Sequence, residues 1–234
     1  MNNIPELLRG NPYPGRGIIL GCDENGRSAI VVYFIMGRSA NSRNRVFEKT
    51  EDGIRTKAHD PAKMTDPSLV IYRPLRICGK RIIISNGDQT DTIFEHIANG
   101  GDFRSALLTR EFEPDPPNYT PRISGLVEAD GSYRLSLLKS LGGNPQCCCR
   151  YFYEYSAPVP GLGHFISTYD TDGDPLPSFT GEPIPVSLSL ADGLEAFATS
   201  VWDALDDSNK VSLYACATAV SDGKSQEIII NKLA

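Results

Sequence analysis

Between Gly37 and Arg45 the chain reads Gly-Arg-Ser-Ala-Asn-Ser-Arg-Asn-Arg, three arginines with no acid among them. Guanidinium forks grip phosphate oxygens through paired hydrogen bonds, so Arg38, Arg43 and Arg45 are candidate phosphate ligands, with Asn41 and Asn44 as neutral helpers. The competing reading is a solvated basic hairpin edge. A second cluster lies downstream, where the apolar run Ile82-Ile83-Ile84 enters Ser85-Asn86-Gly87 and then a polar helix start. Such a strand end collects small hydrogen-bonding side chains and free helix N–H groups at one point, which suits a phosphate or a polar heterocycle. The Asn86 amide both donates and accepts, as a ligand for a base or carboxamide must. Its alternative role is Asn-Gly turn chemistry.

These clusters sit in an acidic body. The 234 residues hold 23 Lys and Arg against 29 Asp and Glu, a net charge of −6. A duplex nucleic-acid binder is usually basic overall, so a local arginine cluster in this chain points to a small anion and not to a polymer. The start, Met1-Asn-Asn-Ile-Pro-Glu, has neither a basic nor an apolar leader region. The longest strongly apolar run, Ala29 to Met36, is too short to span a bilayer. The expectation is a cytoplasmic protein with no membrane partner. The three histidines are scattered, and Cys147-Cys148-Cys149 would alternate across a strand, so no metal site is expected and the thiols read as reduced.

The elements that must position the clusters are mostly strands. Asn25-Gly26, Asp52-Gly53, Gly79-Lys80, Asp130-Gly131 and Asp222-Gly223 each separate two strand-like runs. Asn-Gly and Asp-Gly favour positive φ and are strong hairpin signals. Three helices are expected: Thr90 to Ala98, Phe103 to Thr109 capped by Asp102, and Leu190 to Leu205 with an apolar stripe for core packing. Residues 1–14 read as an N-terminal extension, and Glu113 to Pro121 and Ser156 to Pro185 as long irregular stretches. With no linker or repeat, 1–234 reads as one domain. Helices grouped between blocks of hairpins suggest two sheets with helices outside them, an αββα sandwich.

Several segments, in order, resemble the archaeal-type inosine monophosphate (IMP) cyclohydrolases. They are Gly15-Arg16-Gly17-Ile18-Ile19-Leu20, the Arg38-Ser39 to Arg45 stretch, Tyr72, Arg76-Ile77 with Gly79, Ser85-Asn86-Gly87 with Thr90-Asp91-Thr92-Ile93, Glu111-Phe112-Glu113, and Thr120-Pro121-Arg122-Ile123. The resemblance runs from Gly15 to Ile123; His164 to Tyr169 and the loop to Pro183 look like an element of longer bacterial members. It implies the αββα sandwich of the N-terminal-nucleophile hydrolases without their nucleophile, since no Cys, Ser or Thr opens the first strand. It also implies a cyclohydrolase, a hydrolase of cyclic amidines in purine biosynthesis. The enzyme would close 5-formamidoimidazole-4-carboxamide ribonucleotide to IMP without cofactor or metal, after a separate formyl transferase has supplied the substrate. A homo-oligomer is compatible with it.

On this reading Tyr72 and Glu113 are the catalytic candidates, as proton donor or oxyanion ligand and as carboxylate. Asp88 and Asp91 are rivals of Glu113. The candidate substrate and phosphate ligands are Arg16, Arg38, Ser39, Asn41, Arg43, Arg45, Ser85, Asn86 and Arg122. Arg43 and Arg45 compete for the last arginine of the motif, and Arg122 would bind phosphate or hold Glu113. The alternatives are a purine-nucleotide-binding homologue without turnover, and a related cyclase or amidohydrolase with a changed substrate. Proton-transfer residues beside the phosphate grip favour an enzyme.

Overall fold

A computed structural model describes residues 1–233 of the chain. In order along the chain the elements are α1 (Ile4–Arg9), β1 (Arg16–Cys22), β2 (Ser28–Met36), α2 (Ala40–Arg43), β3 (Arg45–Thr50), β4 (Gly53–Ala58), β5 (Leu75–Cys78) and β6 (Arg81–Ser85). Then follow α3 (Gln89–Ala98), α4 (Phe103–Leu108), β7 (Arg122–Val127), β8 (Tyr133–Leu141), β9 (Asn144–Tyr155), β10 (Leu162–Ser167), β11 (Ile184–Ser187), α5 (Gly193–Ala204), β12 (Lys210–Ala219) and β13 (Ser225–Asn231). The strands form a six-stranded sheet ordered β11-β10-β1-β2-β12-β13 and a seven-stranded sheet ordered β3-β4-β5-β6-β7-β8-β9. Neighbours in both are antiparallel.

All five turn dipeptides join hairpins, β1–β2, β3–β4, β5–β6, β7–β8 and β12–β13. The strand period of two sorts side chains by layer. Ile30, Val32 and Phe34 of β2 meet α1 and α5 on one face, while Val31, Tyr33 and Ile35 face the other sheet. In β6, Ile82 and Ile84 turn inward and Ile83 packs under α3 and α4 with Leu126 and Leu138. The protein is thus a mixed α and β fold with two antiparallel sheets, few helices and an apolar core between the sheets. No helix among the described residues is long and apolar enough to cross a membrane.

The structure adds one element to the expectations and corrects two of them. The N-terminal extension carries a helix, α1, capped by Asn3, with Ile4 and Leu8 buried against α5 and the six-stranded sheet. The stretch Ser156–Pro185 holds β10, which pairs with β1 from Gly17↔Ser167 to Gly21↔Gly163. Its glycines concealed it: a Cβ on Gly163 would lie 2.8 Å from the Leu20 carbonyl oxygen and 2.4 Å from Leu188 Cδ1, so the close strand approach requires glycine. Finally, α5 starts at Gly193, not Leu190.

Candidate active site

Strand polarity gathers the site at one end of the space between the sheets. Arg16 begins β1 opposite Ile35 near the end of β2, Arg45 begins β3, Tyr72 precedes β5, and Ser85 ends β6 opposite Ser124 near the start of β7. Arg16 shares the inward face with Ile18 and Leu20, and Arg45 shares it with Phe47. The same period turns Arg122 outward, on the face of Ser124 and Leu126, toward the helix layer.

Two guanidinium groups are buried here. Arg45 is fully buried; its Nε donates to the Ser42 carbonyl at 2.7 Å, Nη2 to Ser42 Oγ at 3.0 Å and Nη1 to the Val70 carbonyl at 3.3 Å. All three acceptors are neutral, and among the described residues no carboxylate pairs with it. Burial lowers its pKa, the neighbouring Arg16 cation acts in the same direction, and Tyr72, Tyr33 and Tyr13 oppose them. Arg16 reaches Glu113 at 3.7 Å, and its buried Nε has no partner. Burial is the largest single influence and works against the Arg16 cation, yet Glu113 together with Tyr72, Tyr169 and Tyr13 prevails and its pKa is raised well above the ordinary value. A buried cation is costly unless an anion compensates it, and among the described residues Glu113 is the one carboxylate paired with these two guanidiniums.

Glu113 lies among the buried groups, and burial pushes its carboxyl up from the ordinary 4.5 to about 7 against the pull of Arg16 and Arg122. Its backbone N–H donates to the Thr120 carbonyl at 2.9 Å. Asn86 Nδ2 donates to Glu113 Oε1 at 3.3 Å and to the Pro121 carbonyl at 2.9 Å, while Asn86 Oδ1 accepts from Gln89 Nε2 at 3.0 Å and from the Ile123 N–H at 2.8 Å. Tyr72 is clamped by Thr56, whose Oγ1 accepts the Tyr72 N–H at 2.8 Å. The Tyr72 and Tyr33 hydroxyls are 2.8 Å apart. Arg16 is within electrostatic reach of Tyr72, Tyr169 and Tyr13.

The structure separates the expected ligands into two groups. Arg16, Arg45, Tyr72 and Glu113 come together as one buried cluster at the end of the space between the sheets. Arg38 sits at its rim, donating to Asp172 Oδ1 at 2.8 Å and the Gly173 carbonyl at 2.9 Å, with Tyr13 beneath its guanidinium at 5.2 Å. The others are engaged by the protein itself. Arg43 turns away to the Gly37 carbonyl at 2.8 Å and Asn209 at 3.0 Å. Ser39 caps α2, and Asn41 ties down Thr65 and Asp66. Ser85 bonds to Thr90 and Gly87 within the turn that starts α3. The Asn86 amide has both donors and its oxygen occupied, and it ties Glu113 to the ends of β6 and β7. Arg122 donates to Asp88 at 2.7 Å and Gln89 Oε1 at 2.6 Å. Gly87 lies close to this pair and to Glu113: a Cβ there would lie 2.6 Å from Arg122 Nη1, 2.7 Å from Gln89 Oε1 and 3.7 Å from Glu113 Oε1.

The rival carboxylates are ion-paired, Asp88 by Arg110 and Arg122 and Asp91 by Arg76. Among the described residues no group of three His, Cys, Asp or Glu side chains is placed to hold a metal. Sequence reading missed Tyr33, hidden in the aliphatic run of β2, and the partners Gln89, Thr120 and Tyr169. A lone tyrosine amid six aliphatic residues was the available signal.

A family model described as "IMP cyclohydrolase-like protein" matches residues 13–225, which include this whole cluster. The IMP cyclohydrolase of Methanopyrus kandleri is 32% identical over 161 residues, 67% of this chain and 75% of that protein. That of Haloquadratum walsbyi is 27% identical over 224 residues, 93% of this chain and 96% of that one. That of Methanococcus aeolicus is 29% identical over 125 residues, 52% of this chain and 61% of the relative. With the match running through Arg16, Arg45, Tyr72 and Glu113 to nearly the end of the chain, the protein belongs to the IMP cyclohydrolase-like family.

Proposed function

We propose that this protein is an IMP cyclohydrolase that closes 5-formamidoimidazole-4-carboxamide ribonucleotide to IMP. The observation that carries the reading is the buried cluster of Arg16 and Arg45 beside a carboxyl group near neutrality and a tyrosine hydroxyl. The family membership and the relatives' names support it. In the reaction the carboxamide nitrogen attacks the formyl carbon of the same molecule. One C–N bond forms, the formyl C–O bond breaks, and the oxygen leaves as water with one hydrogen from the carboxamide and one from the formamido nitrogen.

Because both reacting groups are on one molecule, the protein's task is to fix their rotamers, stabilise the oxyanion and move protons. Arg16 and Arg45 supply positive charge for the phosphate, with Arg38 at the rim. Glu113, titrating near neutrality, takes the carboxamide proton, and Tyr72 donates to the formyl oxygen. Arg122, Asn86 and Ser85 support Glu113 and the turn beside it. The chemistry requires no metal or redox cofactor.

The helix and sheet packing supports a four-layer αββα sandwich resembling the N-terminal-nucleophile hydrolases without their nucleophile, with 1–234 acting as a single domain. A cytoplasmic location and dependence on a separate formyl transferase complete the proposal. A spectrophotometric ring-closure assay with the formylated ribonucleotide tests it. Tight binding of IMP without turnover would favour the non-catalytic binding protein, and neither binding nor turnover would favour a changed substrate.

A further inference from the structure

Tyr33 lies on the inner face of β2, fully buried, its ring stacked on Phe47 at 5.7 Å. Its hydroxyl has one hydrogen-bond partner among the described residues, the Tyr72 hydroxyl. Tyr72 differs in keeping 8% exposure. The charged groups acting on Tyr33 are Arg16 from β1 and Arg45 from β3, and guanidinium groups only donate. The Tyr33 proton therefore has one acceptor, the Tyr72 oxygen. In the reverse arrangement Tyr72 would spend its proton on Tyr33, and the Tyr33 proton would be buried without a partner, the more costly state.

We infer that Tyr33 is a positioning residue for ring closure: its donated hydrogen bond fixes the Tyr72 hydroxyl and leaves the Tyr72 proton directed at the substrate. The inference rests on the cyclohydrolase reading above. It adds to that reading the source of Tyr72's donor direction.

The test is a kinetic and thermal double-mutant cycle of Tyr33→Phe and Tyr72→Phe in the full chain. Tyr33→Phe keeps the ring that stacks on Phe47. It should lower kcat about tenfold, the kinetic equivalent of one neutral hydrogen bond, with KM within about twofold of wild type. In the Tyr72→Phe background the same change should cost nothing further in kcat. Thermal unfolding gives a readout independent of turnover. Tyr72→Phe strands the buried Tyr33 hydroxyl and should lower Tm more than Tyr33→Phe does, and the double variant should recover part of that loss. An unchanged kcat in Tyr33→Phe, an equal kcat loss in both backgrounds, or a larger Tm loss from Tyr33→Phe than from Tyr72→Phe overturns the inference. A wild-type chain that does not close the ring overturns the cyclohydrolase reading and this inference together. An active wild type with any of the three contrary results overturns this inference alone.

Discussion

Replacing Glu113 by glutamine should remove a pH dependence from the stability of the fold. Burial raises the Glu113 pKa from 4.5 to about 7, so between these values the folded protein holds a proton that the unfolded chain has released. Stability therefore falls as pH rises through the window, the sign opposite to that of a salt-bridged carboxylate. At 1.36 kcal/mol per pKa unit the whole effect is about 3 kcal/mol, of which about 2 kcal/mol falls between roughly pH 5.5 and pH 8. Arg16 opposes the shift, and its contribution is already contained in the net value. Asp88 and Asp52 have lowered pKa values: burial raises them, but the arginine partners prevail. Their contribution changes at lower pH and is common to both proteins. Urea unfolding of wild type and Glu113→Gln across this range measures the difference directly. The stability difference between the two should move by about 2 kcal/mol in favour of the variant as pH rises. Parallel curves would refute the buried, high-pKa carboxyl, and with it the case for Glu113 as a base poised near neutrality. In the ring-closure assay the same variant should lose turnover by about 10²–10⁴-fold, and an acidic limb centred near pH 7 should vanish with it.

Isothermal titration with IMP should show a loss of about 1.5–3 kcal/mol for Arg45→Ala and far less for Arg43→Ala, whose guanidinium is held by Gly37 and Asn209; equal effects would remove the phosphate assignment from Arg45. Chemical denaturation should place Tyr72→Phe about 1–3 kcal/mol below wild type, because the buried Tyr33 hydroxyl loses its partner, and a neutral change would show that Tyr33 bonds elsewhere. Gly87→Ala should cost about 1–3 kcal/mol and depress turnover, since Arg122 and Gln89 are buried and bonded where the new methyl would sit; full activity would show that this corner yields. Exhaustive chelation should leave turnover intact, and its loss with recovery on adding one metal would overturn the metal-free chemistry.

Local signals in the sequence determined much of the frame. Asn25-Gly26 and its four counterparts set the hairpins because positive φ at a glycine is a local property of the chain. The Asp102 cap of α4 was legible for the same reason: its side chain bonds a backbone N–H three residues on. The strand β10 was not legible, because Gly163 is glycine for the sake of a neighbouring strand and reads locally as a loop residue.

The site divides in the same way. Residue type and clustering placed Arg45 among the candidates, and the family resemblance added Tyr72 and Glu113. They could not separate Arg45 from Arg43, which differ only in whether the guanidinium points between the sheets or back along the surface. Nor could they show that Asn86 is saturated by Glu113, Pro121, Gln89 and Ile123, or that Arg16 keeps a buried N–H with no partner. Chemical capacity belongs to the residue and is written in the sequence. Whether that capacity is already spent, and in what dielectric it acts, depends on groups many positions away, which only the packing of the two sheets brings together.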